Sequence, residues 1–259
     1  FTVTATDANA SPASGTATLT VNITGANDAP TDLALSAATV NQSAGANATV
    51  GALSSTDVDT GETFTYTLVS GTGSTDNGSF NISGGNLRAT NPANLVAGTY
   101  SVRVRTTDAS SSTHEEVLSI TVVDDVAPTV TSVSVPSNAW YAAGQNLDFT
   151  VNLSEAVIVN TTGGTPRIAL TVGSNTVYAT YVSGSGTSAL TFRYTVQANE
   201  LDTDGIAVGA LGLNGGTIQD AAGNNLNLTL NSVGSTTAVK VDAVNPSAPS
   251  APDLNTVSD

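Results

Sequence analysis

The chain has 259 residues, of which 21 are acidic and six basic, giving a formal charge of −15. A surface this negative repels phosphate backbones and anionic lipid headgroups, which argues against nucleic-acid binding and membrane association and favours cations as ligands. Cysteine and methionine are both absent, so disulfide staples and thiolate metal sites are excluded, and no apolar run is long enough for a transmembrane helix.

Aromatic residues make up only 5% of the chain, while Gly reaches 24 and Thr, Ser, Ala, Val and Asn dominate the rest. β-Branched residues punctuated by Gly, Asn and Asp suit short strands and tight turns, and no window sustains a 3.6-residue apolar period. An all-β fold is predicted. Phe1 opens directly into strand pattern with no signal segment, so the chain is expected to be an excerpt from a longer polypeptide.

In chain order, "FTVTATDANASPASGTATLTVNITGANDAPT" aligns with "VRVRTTDASSSTHEEVLSITVVDDVAPT", placing Asp7 on Asp108. Self-similarity at a spacing of about 100 residues marks a tandem array of sandwich-sized modules. Residues 1–27 then read as the C-terminal hairpin of a truncated upstream module. A first complete module spans 28–123 and a second spans 124–244. Residues 245–259, with Pro246, Pro249 and Pro252, read as a linker and the start of a truncated downstream module.

Strands are predicted in the first module at Leu33 to Val40, Ala48 to Leu53, Thr63 to Val69, around Gly78 to Arg88, Thr99 to Thr106 and Val117 to Val123. The second module yields Val130 to Val135, Asn146 to Leu153, Arg167 to Val172, Thr176 to Val182, Ala189 to Val196, Ile206 to Leu213, and a final pair between Leu226 and Val241. In "LTFRYTV", Leu190, Phe192, Tyr194 and Val196 share one face, which is assigned to the core.

Topology gives the acidic loops their meaning. In a sandwich of immunoglobulin type the chain entrance, the loop after the second strand and the loop between the last two strands share one pole. In the first module that pole collects Asn27 and Asp28, then Asp57, Asp59 and Glu62 of "STDVDTGETF", then Asp108. In the second it collects Asp124, Asp125, Glu155 and Asp220 of "DAAGNN". The opposite pole of the second module carries Glu200, Asp202 and Asp204, near Asp242. Oxygen-rich clusters with loose geometry suit Ca²⁺ better than the strictly octahedral Mg²⁺. Turn chemistry is the plainer account of any single aspartate. Asp32, Asp76, Asp148, Glu115 and Glu116 fit no cluster and are read as solvated surface. "DTDG" lacks the downstream glutamate of an EF-hand.

"STDVDTGETFTYTLVSG", "YSVRVRTTDAS" and "NDAP" resemble the cadherin-like repeats of giant bacterial surface adhesins, including the RTX type. The stretch from "APTVTSVSVPSNAWYAAG" through "LTFRYTV" resembles the bacterial immunoglobulin-like repeats of the same adhesins. The resemblance implies tandem immunoglobulin/cadherin-like β-sandwiches arranged end to end on the extracellular cell surface. It also implies Ca²⁺ bound between modules, at Asp57, Asp59, Asp108, Asn27 and Asp28. Two departures occur: Gln42 stands near a position usually held by glutamate, and "NPANLVAG" replaces an acidic stretch. The entrance around Asp124 and Asp125 is therefore expected to hold fewer ions than the one around Asn27 and Asp28.

An enzyme finds little support, because the single histidine, His114, lies in a stretch read as a polar loop, with no cysteine and no Gly-x-Ser-x-Gly turn to supply a nucleophile. The expected function is a calcium-stiffened extender, monomeric, contacting its neighbouring modules and holding a distal ligand-binding domain away from the cell. The alternative is a carbohydrate-binding module of a secreted hydrolase. For that reading the candidate platforms are Trp140 and Tyr141, in an expected strand-end loop, and Tyr178 and Tyr181 on opposite strand faces.

Overall fold

A computed structural model describes residues 3–6, 14–17, 20–21 and 25–246. Asp7 and residues 247–259 of the expected linker lie outside them. The chain divides into two compact units, Phe1–Val123 and Asp124–Asp259. Among the described residues all regular structure is β-strand apart from three single-turn 3₁₀ segments.

The first unit opens with an antiparallel hairpin of β1 (Val3–Thr6) and β2 (Ser14–Ala17). Its remaining strands are β3 (Asp32–Leu35), β4 (Thr39–Asn41), β5 (Ala48–Thr56), β6 (Thr65–Leu68), β7 (Phe80–Ser83), β8 (Asn86–Ala89), β9 (Gly98–Thr107) and β10 (Thr113–Val123). Two four-stranded sheets result, in the orders β3-β5-β8-β7 and β4-β10-β9-β6. Leu33, Val50, Leu53, Phe80 and Leu87 from the first sheet pack with Val40, Val102, Val104, Ile120 and Val122 from the second. This is a β-sandwich.

The strand expected over Leu33 to Val40 is two strands. The chain leaves β5 after Leu35 and rejoins the other sheet beside β10 at Thr39, running parallel to it. The crossing passes so close to Gly51 that a Cβ there would lie 2.5 Å from the Ala37 carbonyl oxygen. Glycine is required at that point. β10 also starts four residues before the expected Val117, so His114, Glu115 and Glu116 are strand residues and not a loop. Cross-strand charge pairing supplies the reason: Glu115 lies opposite Arg105 and bonds Arg105 at 2.6 Å and Arg103 at 2.8 Å.

The second unit contains β11 (Val130–Ser134), β12 (Ala139–Tyr141), β13 (Asn146–Asn160), β14 (Arg167–Val172), β15 (Asn175–Ser183), β16 (Thr187–Thr195), β17 (Leu201–Asp202), β18 (Ala207–Gly212), β19 (Thr217–Gln219) and β20 (Val239–Asp242). One sheet runs β11-β13-β16-β15-β14-β18 with β19 added to β13, and a second runs β12-β20-β17. The core centres on Leu147, Phe149, Ile168, Leu190 and Phe192, none of them measurably exposed. Tyr194 and Val196 share that face, as the alternation predicts.

Three expectations are corrected here. β13 does not end at Leu153 but continues to Asn160 through an irregularity between Asn152 and Val157. The final strand pair reduces to β20, because the segment from Leu226 onward makes only isolated bridges, Thr129 to Asn227 and Val133 to Val233. Trp140 and Tyr141 lie on β12, paired with Lys240 and Val241, and not in a loop.

Candidate metal centres

In the first module the loop after β5 and the hairpin between β9 and β10 bring the acidic residues to the chain entrance. Asp108 closes a five-residue turn: its Oδ1 accepts the backbone N–H groups of Ser110 (2.9 Å) and Ser112 (2.8 Å). Its Oδ2 accepts from the Asn27 amide at 2.9 Å. That amide also donates to the Ser112 hydroxyl and the Asp28 carbonyl. The Asn27 bond, outweighing burial and aided by the backbone donors of Ser112, Ser110 and Ser111, holds the Asp108 carboxyl below its ordinary value.

Asp59 accepts the backbone N–H of Asp28 at 2.8 Å, so the entrance chain is tied to the acidic loop as well as to the hairpin. Asp57 Oδ1 accepts from the Asp59 N–H at 3.0 Å, whereas Asp57 Oδ2 is buried with no hydrogen-bond partner. A buried oxygen left in that condition costs roughly 1–3 kcal/mol, more when it is charged, and a cation would offset the cost. The donor set is carboxylate, amide and carbonyl oxygen, which fits a hard divalent cation once the Asn27 amide turns its oxygen inward. Glu62 lies at the edge, 3.4 Å from the Ala109 N–H.

In the second module Asp124, Glu155 and Asp220 place carboxylate oxygens that all lie within 4.8 Å of one another. Glu155 does not follow its strand as expected. It stands within β13 between Leu153 and Val157, at a position where the alternation of that strand points inward, and it is half-buried. Burial there, followed by the charges of Asp124 and Asp220, raises the Glu155 pKa. Asp220 is 4% exposed and resists protonation. Burial opposes its charge, but the Asn224 side chain and the backbone donors of Asn224, Gly223 and Ala222 outweigh it and lower its pKa. Asn224 also reaches the Asp124 carbonyl at 3.2 Å. Asp125 is half-buried next in sequence and is not a member of the group of three.

The sequence departures assigned the richer site to the first module, yet among the described residues the one tight group of three carboxylates is in the second. Glu200, Asp202, Asp204 and Asp242 do not form a further one. Asp202, 4% exposed, spends both oxygens on backbone N–H groups, of Gly173 at 2.7 Å and Gly205 at 2.8 Å. Glu200 accepts from the Tyr194 hydroxyl and the Gln197 N–H, Asp204 is exposed, and Asp242 accepts from Val244. Asp76, Asp148 and Glu115 are likewise not free surface: Asp76 accepts the Ser101 N–H, and Asp148 and Glu115 pair with arginines. Sequence reasoning missed Ser112 and Asn224. Their signal was present in the shared spacing Asp-x-x-x-Ser/Asn, "DASSS" and "DAAGN".

Trp140 is 55% exposed, with the Lys240 ammonium 5.2 Å from its ring centroid. Tyr141 is half-buried and bonds to Ser137. Arg167 covers the exposed ring of Tyr178 at 3.8 Å, and Tyr181 packs edge-on against Phe192.

No family model and no curated protein matches the sequence. Among solved structures, the chain is similar to the protocadherin gamma B4 extracellular domain (20% identity, TM-score 0.45, 94% of this chain and 36% of that one). It is also similar to cadherin domains 1–5 of protocadherin gamma B2 (17%, 0.41, 75% and 38%). A third is the Bacteroides ovatus protein SGBP-B, solved with a mixed-linkage heptasaccharide (18%, 0.24, 83% and 48%). The chain thus spans less than half the length of each of these. At such TM-scores the likenesses carry no argument about its sites.

Proposed function

We propose that the chain is a calcium-stiffened extender segment of a bacterial cell-surface adhesin, monomeric and extracellular, that holds a distal ligand-binding domain away from the cell. The observation that carries this reading is the Asp124–Glu155–Asp220 group at the residue where the chain enters the second module. Three carboxylates within 4.8 Å repel one another unless a cation joins them. Asp124 directly follows Val123, the last residue of β10, so a cation held there restricts the segment that connects the modules. Asn27, Asp28, Asp57, Asp59 and Asp108 are the corresponding ligands of the first module. Carboxylate, amide and carbonyl ligands of loose geometry favour Ca²⁺ bound at about 10⁻⁴ to 10⁻³ M, the usual range of extracellular modules.

The test is a calcium titration followed by thermal melting and small-angle scattering. Melting temperature and maximum dimension should both rise through millimolar calcium and fall again with chelator. Profiles indifferent to chelator would refute the proposal and return the acidic loops to turn chemistry. The exposed Trp140 keeps the sugar-binding reading testable: glycan-array binding that vanishes in Trp140→Ala would favour it.

A further inference from the structure

The chain contains nine Asn-x-Ser/Thr triplets, the acceptor pattern for N-linked sugar. Two of them, at Asn9 and Asn22, lie outside the described residues. In a chain this rich in Asn, Ser and Thr the pattern alone says little, but the fold sorts the remaining seven by what holds each amide.

Asn77 is locked, its nitrogen donating to the Val69 carbonyl at 2.9 Å and its oxygen accepting the Arg103 N–H at 2.9 Å. Asn152 donates to Ser132, and Asn81 to Asn47 and Thr90. Asn41 and Asn47 are exposed, but the Asn47 oxygen is taken by Asn81 and Asn41 opens a 3₁₀ turn with no side-chain cap bond.

Asn160 and Asn227 differ from all of these. Each is exposed, and each accepts the backbone N–H of the threonine two residues on: Thr162 at 2.9 Å and Thr229 at 3.0 Å. This Asx turn folds the tripeptide back on itself. Thr162 and Thr229 are both exposed, and neither Nδ2 donates to any group among the described residues.

We propose that Asn160 and Asn227 are acceptors for N-linked sugar, presented to a transferase by the folded second module. The amide nitrogen attacks the anomeric carbon of a nucleoside-diphosphate sugar. The new bond is N–C1, the bond that breaks is C1–O to phosphate, the nucleoside diphosphate leaves with the electron pair, and the amide proton passes to a base of the transferase. No unfolding is needed at these two positions. At Asn77 two hydrogen bonds must break first, which slows modification there roughly tenfold or more.

The experiment incubates the folded chain with a purified sequon-reading N-glycosyltransferase and its nucleotide hexose, followed by intact mass and peptide mapping. Hexose should be found at Asn160 and Asn227, at no more than about a tenth of that level at Asn77 and Asn152. Thr162→Ala and Thr229→Ala should each remove one hexose with an unchanged melting profile, and Thr162→Ser and Thr229→Ser should retain it. Tryptic peptides should be modified at all four sequons. Equal modification of Asn77 and Asn152 in the folded chain would overturn the proposal. So would peptides modified at Asn160 and Asn227 while the folded chain is not, or failure of both.

Discussion

Replacing Glu155 by Gln keeps the shape of the side chain and removes one of three charges. At 4.8 Å two unit charges repel by roughly 0.9 kcal/mol in bulk water and roughly 3.5 kcal/mol at an effective dielectric of about 20. Glu155 faces two such charges and is half-exposed, so solvent screening argues for values near the lower limit, about 2 kcal/mol of relief in total. In chelator, Glu155→Gln should therefore stabilise the second module by about 2 kcal/mol, a rise of roughly 6–10 °C for a unit of this size. Calcium at ten times the dissociation constant adds about 1.4 kcal/mol to the parent. If the variant binds tenfold more weakly, the same calcium adds only about 0.4 kcal/mol, and the gap between the two proteins narrows by about half. Trp140 is the chain's single tryptophan and lies in this module, so its fluorescence follows that transition alone. A variant that melts lower than its parent in chelator would show that Glu155 is held by favourable contacts, and the repulsion argument would fall. A variant that keeps the full calcium increment would remove Glu155 from the ligand set.

In the first module, Asp57→Asn should lose most of the calcium-dependent rise in melting temperature, whereas Asp76→Ala, which orphans the Ser101 N–H, should cost about 1–3 kcal/mol equally with and without calcium; melts in calcium and in chelator check both. Glu115 has its pKa lowered, first by Arg105 and then by Arg103, so the unfolded chain binds its proton more readily. Its contribution is fully present above the ordinary value of 4.5 and is lost as pH falls through the lowered folded value; an acid titration followed by circular dichroism should show a shallower loss in Glu115→Gln. Gly164→Ala would drive a Cβ to 1.9 Å from the Asn214 carbonyl oxygen at a φ of +151°, and should cost at least about 3 kcal/mol in urea unfolding. Gly61→Ala, at a φ of +83° with open space around it, should cost only about 1 kcal/mol.

Period-two alternation made the all-β class and most strands legible, because a strand with one buried face writes that face into every second residue: Val102 and Val104, or Phe149 and Val151. It failed where long-range contacts overrode local preference. Glu115 and Glu116 have weak strand propensity, and Glu115 is held in β10 by Arg103 and Arg105 across the sheet, a pairing invisible without register. The break between Leu35 and Thr39 depends on the close approach at Gly51, which no local pattern signals. Glu155 is misplaced by the sequence reading. It was read as a residue after a strand, although "LDFTVNLSEAV" already places it in phase with Leu147, Phe149, Val151 and Leu153. A carboxylate in core phase is a stronger mark of an unusual site than a carboxylate in a loop. Asp202 was read from its place beside Glu200 and Asp204 near Asp242, and nothing in the sequence signals that its oxygens accept the Gly173 and Gly205 N–H groups.

The two modules build one hairpin from different sequences. Asp108 and Asp220 each start a turn in which the fourth residue takes positive φ, Ser111 at +78° and Gly223 at +95°. In each turn the carboxylate accepts the N–H of the fifth residue at 2.8 Å. The second carboxylate oxygen then takes an asparagine amide, from Asn27 at the distant chain entrance in one module and from Asn224 within the turn in the other. The geometry of the carboxylate is thus preserved while the source of its partner is not. The difference bears on cation dependence. Asn27 and Asp59 tie the first entrance to its module through bonds that exist without an ion. At the second entrance the Asn224 bond to the Asp124 carbonyl stands beside three mutually repelling carboxylates. On that balance the proposed cation would contribute more to the second module, although it is poorer by sequence resemblance, than to the first.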